Sequence, residues 1–133
     1  MIGSPPGAGI VLDASAMVDL LAGDGATGAI GVILRDSSVH VPAHFDAEVL
    51  SAVGRLYRGG HLAVQEATEA LGGLQRAPFA RHPLAGLIGG AWARRDSLRL
   101  VDALYVELAE QLGLDLITTD GRLAKSYSGA RFP

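Results

Sequence analysis

The sequence predicts an α/β fold, with a largely parallel central sheet flanked by helices. Three observations carry this expectation. The run "IVL" at residues 10–12 is continuously apolar rather than alternating, as a strand buried on both faces requires. Strand-like runs then alternate with helical-period segments along the chain. A second strand-like run, "LDLITTD", ends on an aspartate as the first one does. The 133 residues suit one domain with room for a real core.

The elements follow in order. "MIGSPPGAG" lacks the basic region and long apolar stretch of a signal peptide, so residues 1–8 read as a flexible Pro/Gly lead-in to a domain at 9–133. "SAMVDLLAG" changes to a helical rhythm that Gly23 stops. "AIGVILRD" suggests another helix, and "SVHVPAH" a strand that Pro42 terminates. From His44 to Arg58, Phe45, Val49, Val53 and Leu56 form one helical stripe. "LAVQEATEALGGL" continues as a helix, and "APFARHP" as a connector or short strand. "LAGLIGGAWARR" has helical period but is weakened by glycine. "LRLVDALYVELAEQLG" is the clearest helix. Its core stripe is Tyr105, Leu108, Ala109 and Leu112, and Glu107 and Glu110 face solvent. "GRLAKSY" is a short helix, and "ARFP" leaves little for a final edge strand.

Composition narrows the chemistry. Without cysteine there are no disulfides or thiolate sites, so any metal must take oxygen or imidazole ligands. A net charge of −3 implies no broad basic field, and any nucleic-acid contact must be local. No apolar run approaches the roughly 20 residues of a membrane span. A mean hydropathy of +0.29 leaves apolar surface to cover. The segments Met17–Leu34 and Leu50–Leu74 could supply either a groove for a partner or a dimer face.

Four acids stand out jointly rather than singly. Asp13 and Asp120 end strands, where each could equally cap the following helix. Ser15 could cap instead of Asp13. Glu48 and Asp102 lie at the edges of apolar stripes near helix starts. In parallel sheets, sites form beyond the carboxyl ends of the strands. Four carboxylates gathered there would repel one another, and a hard divalent cation, Mg²⁺ or Mn²⁺, removes the conflict. Such a site can polarise a phosphoryl oxygen and activate water.

The remaining motifs are weak. There is no phosphate-cradling GxxxxGK[ST], no dinucleotide fingerprint and no GxSxG elbow. His40, His44, His61 and His82 are scattered without metal-ligand spacing and read as structural or surface residues. Arg81, Arg94, Arg95 and Arg99 form the locally basic region, either a solvated charged face or a rim that attracts nucleic-acid phosphates to an acidic cleft.

The set "IVLDASAMV", "VPAHFDAEVLSAVGRL", "LVDALYVELAEQLG" and "LITTDGRLA" resembles the PIN-domain nucleases, and more narrowly the VapC toxins of bacterial toxin–antitoxin modules. The likeness covers nearly the whole chain after Gly9. It implies a PIN-like domain with its four acids at Asp13, Glu48, Asp102 and Asp120. Ser15 and Thr118 correspond to the family's supporting hydroxyls. It further implies a cytoplasmic, Mg²⁺- or Mn²⁺-dependent endoribonuclease, usually dimeric and inhibited by a cognate antitoxin. Two positions depart from the family pattern. Ser97 stands where relatives carry Asn, and Val101 where they carry an aromatic. Both changes spare the acids.

Two rivals remain. Some PIN-like domains are non-catalytic RNA-binding or interaction modules. Aspartyl-phosphorylated α/β domains also use a strand-end aspartate, but they need a well-placed lysine, and Lys125 is the chain's one lysine.

Overall fold

The computed structural model describes residues 9–23 and 27–131. The proposed lead-in, residues 1–8, lies outside them. The central sheet contains β1 (Gly9–Leu12), β2 (Ser38–Pro42), β3 (Ala80–His82), β4 (Asp115–Ile117) and β5 (Ala130–Arg131). Their spatial order is β3-β2-β1-β4-β5, and every pairing is parallel. Among the described residues the helices are α1 (Ala14–Ala22), α2 (Thr27–Arg35), α3 (Phe45–Arg58), α4 (Val64–Arg76), α5 (Ile88–Ala93), α6 (Leu100–Leu112) and α7 (Gly121–Ser126).

The strand interpretation of "IVL" holds, and the register explains it. β1 is the middle strand, and Ile10, Val11 and Leu12 are all buried. α6 packs across β1, β2 and β4. Phe45, Val49 and Val53 are buried as the helical stripe requires, and α3 lies against both α1 and α4. These side chains join one apolar cluster with Tyr105, Leu108, Leu116 and Ile117.

The topology creates a switch point. From β1 the chain works outward through β2 to β3, then returns to place β4 on the other side of β1. Connections leave the carboxyl ends of β1 and β4 in different directions, which opens a crevice between them. Asp13 and Thr118 follow directly on those two strands.

Four sequence expectations need correcting. A final strand does form: β5 adds two residues beside β4. Leu112 is 38 % exposed, as the last residue of α6 before Gly113. Gly113 adopts a left-handed φ of 66°, which costs glycine little. Glu107 is not a solvated acid. Arg94, just beyond α5, reaches across to pair with both Glu107 and Glu110. The glycine-rich segment is not one helix but a 3₁₀ turn, Ala85–Leu87, followed by the short α5. A side chain at Gly90 would collide with the Glu107 carboxylate, so the glycine that weakens α5 also lets α6 approach.

Candidate functional site

Asp13 occupies the position before α1, yet its carboxylate makes no cap bond to that helix. Its backbone N–H donates to the Ile117 carbonyl at 2.9 Å, extending the β1–β4 ladder by one bond. The side chain is 5 % exposed and turns to two hydroxyls. Ser15 Oγ donates to Asp13 Oδ2 at 2.6 Å, and Thr118 Oγ1 donates to the same oxygen at 2.7 Å. Among the described residues Oδ1 receives no donor. The two hydroxyls also accept. Ser15 Oγ takes the Thr119 N–H at 3.2 Å, and Thr118 Oγ1 takes the Asp120 N–H at 3.0 Å. The loop after β4 is thereby tied to the start of α1.

Burial pushes the Asp13 carboxyl above its usual range. The two hydroxyl donors oppose that rise, and the charges of Asp102 and Glu48 add to it. Glu48 stands on the first turn of α3, 31 % exposed. Buried Tyr105 donates its O–H to Glu48 Oε1 at 2.6 Å. Burial, then the bond to Glu48, raises the Tyr105 phenol far above ordinary pH, so it remains a donor. His44 Nε2 lies 3.3 Å from Glu48 Oε1 and 3.1 Å from the Val101 carbonyl. Both neighbours are acceptors, so the proton belongs on Nε2. His44 thus links α3 to the residue preceding Asp102, while its buried Nδ1 has no partner among the described residues.

Asp102 sits in the first turn of α6, its side chain 15 % exposed, and pairs with Arg99 at 3.0 and 3.4 Å. Asp120 does cap its helix. Its Oδ1 accepts from Arg122 N at 2.9 Å and Leu123 N at 3.3 Å. Asp120 nevertheless also lines the pocket. Asp13, Glu48, Asp102 and Asp120 all border one cavity of about 320 Å³ at the carboxyl end of the sheet. Ser15 and Arg99 border it too.

The basic rim is different from the one the sequence suggests. Arg81 is held by Asp46 at 2.7 and 3.1 Å and by the Leu74 and Ala77 carbonyls. Arg94 is committed to Glu107 and Glu110. Arg95 stacks over Trp92 at 5.0 Å. Of these four arginines, Arg99 alone borders the acidic pocket. Arg55 also lines it, without having been singled out in the sequence. His44 and Tyr105 were missed as well. The i, i+4 spacing of His44 and Glu48 was the available signal for one of them.

Among the described residues no three carboxylate or imidazole groups already converge into a closed cation cage. The donor set nevertheless suits a hard cation, being all oxygen and strongly acidic. Mg²⁺ needs only one or two carboxylates, because waters and phosphate oxygens fill its remaining positions.

A parallel sheet with four acids facing its switch point defines a class of α/β proteins whose chemistry lies at one sheet end. Residues 10–128 match the PIN domain model, and the chain belongs to the PIN domain family. Ribonuclease VapC3 of Mycobacterium tuberculosis is 55 % identical over 128 residues, spanning 96 % of this chain and 93 % of the relative. The crystal structure of PAE2754 from Pyrobaculum aerophilum superposes with a TM-score of 0.68 at 25 % identity, covering 92 % of this chain and 82 % of that one. A toxin–antitoxin complex from Klebsiella pneumoniae shares the fold, with a TM-score of 0.65 at 20 % identity, covering 92 % and 95 %.

Proposed function

We propose that this chain is a divalent-metal-dependent endoribonuclease, the toxin of a toxin–antitoxin pair, that hydrolyses RNA phosphodiester bonds at its four carboxylates. The observation that carries this reading is the convergence of Asp13, Glu48, Asp102 and Asp120 on one cavity at the switch point. The ribonuclease name of its 55 %-identical relative supports the substrate.

Asp13 and Asp102 are the direct ligands for Mg²⁺ or Mn²⁺. Glu48 and Asp120 complete the site directly or through water, and one of them orients the attacking water. Bound there, the ion would offset charge on the scissile phosphate and lower the pKa of the attacking water. Ser15 and Thr118 hold Asp13 in place by donating to Oδ2, which leaves Oδ1 free of donors among the described residues. Tyr105 and His44 hold Glu48 in the same way.

The partners of this reading are a cognate antitoxin, a second copy of the chain and RNA, in the cytoplasm. Two apolar faces support protein partners. Leu50, Leu71 and Leu74 border a groove of about 460 Å³ on α3 and α4. Ile88, Trp92, Leu100 and Val101 are large exposed side chains around a second groove. Among the described residues no helix is long and apolar enough to cross a membrane. Light-scattering masses, alone and with the antitoxin, test both partners.

The decisive experiment is cleavage of total RNA with mapped ends, wild type beside Asp13→Asn. Wild type should cut with Mg²⁺ or Mn²⁺ and stop in EDTA, and Asp13→Asn should not cut. Full activity in EDTA, or in Asp13→Asn, would sink the proposal. Metal binding without cleavage of any RNA would favour a non-catalytic binding module.

A further inference from the structure

We infer that a second cavity, between the first turns of α6 and α7, is a subsite for the RNA phosphate next to the scissile one, gripped by Arg99 and Arg122. This rests on the nuclease reading of the neighbouring pocket. The second cavity measures about 440 Å³ and shares Arg99, Asp102 and Asp120 with the carboxylate pocket. The two are therefore adjoining parts of one trough. A strand whose scissile phosphate lies against Asp13 and Asp102 and runs along this trough places a flanking phosphate in the adjoining part.

The lining suits a phosphate. Leu98 and the buried Leu123 supply apolar wall, and the charged groups are two guanidiniums and two carboxylates. The backbone N–H of Arg122 serves Asp120, but its guanidinium has no hydrogen bond or ion pair among the described residues. An exposed arginine with an uncommitted fork beside a substrate cavity is a ready phosphate ligand.

Arg99 is only lightly held. It is 69 % exposed and paired with Asp102 over a single helical turn. Exposed pairs of this kind contribute little, because water and salt screen them. Arg99 can release Asp102 and take a phosphate oxygen with no rearrangement of backbone. In the free protein it serves as the counter-charge for Asp102, and with RNA bound it belongs to the substrate.

The test measures binding, not cleavage. A fluorescein-labelled single-stranded oligoribonucleotide is titrated in EDTA by anisotropy at several salt concentrations, using two unrelated sequences. Arg99→Gln and Arg122→Gln should each weaken binding about 3- to 10-fold, equally for both sequences. Each should also reduce the slope of log affinity against log salt by about 0.7 to 1. The double variant should lose about twice that slope. Arg58→Gln is the control, ten residues beyond Glu48 on α3 and so about 15 Å further along the helix. It should bind as wild type.

The inference is overturned if Arg122→Gln binds as wild type, if Arg58→Gln loses as much, or if wild type binds no RNA. Failure of the nuclease reading would show separately, as wild type that binds RNA but does not cut it with Mg²⁺.

Discussion

Thr118 and Asp13 are 105 residues apart in the chain, yet the Thr118 hydroxyl donates to Asp13 Oδ2 at 2.7 Å. The hydroxyl is fully buried and stabilises the ionised form of an acid that burial disfavours. Thr118→Val keeps the shape and removes the donor. The Asp13 carboxyl should then rise further, and the acid limb of the pH–rate profile should move to higher pH. An unmoved limb would show that Ser15 alone suffices.

Asp13→Asn should make the protein more stable at neutral pH while abolishing cleavage. Burial holds the folded carboxyl above its ordinary 3.8, so folding takes up a proton between the two values. The wild-type stability linked to Asp13 is therefore full below pH 3.8 and lost as pH rises through the folded value. Removing the charge should raise Tm at pH 7, with the gain vanishing as pH falls to 3.8. Thermal melts across pH test the sign.

Tyr105→Phe should cost about 1–2 kcal/mol in denaturant unfolding, because Glu48 loses its 2.6 Å donor while the ring still fills the core. Activity should fall about tenfold, since His44 alone then orients Glu48. Urea melts and kcat/KM measured together separate the two effects.

Arg94→Ala should lower stability by about 1–3 kcal/mol and leave kcat/KM unchanged. Its guanidinium holds the half-buried Glu107 and lies away from the acidic pocket. Paired urea melts and cleavage assays check it, and a selective loss of activity would return Arg94 to the substrate rim.

The sheet was legible because β1 and β4 carry strong apolar runs, whose burial the pattern states directly. The four acids were legible because strand ends and stripe edges are positions a sequence reveals. Arg81 and Arg94 misled for a definite reason. Charge clusters along a chain say nothing about which carboxylate each arginine will meet, and Asp46 and Glu107 claimed them through tertiary contacts. Tyr105 looked like pure core because its ring is core, and only its oxygen serves the site. Asp120 was read as either cap or site residue. It caps its helix with Oδ1 and borders the cavity as well, so those readings were never exclusive.

The strand order has a consequence for timing. β1 is made more than a hundred residues before the neighbour that furnishes the Ile117 carbonyl and the Thr118 hydroxyl. Until then Asp13 stands on an unfinished edge, without one of its two hydroxyl donors, and the cavity lacks a wall. A chain without β4 cannot assemble the pocket, so any chemistry at these four acids waits on the completed sheet.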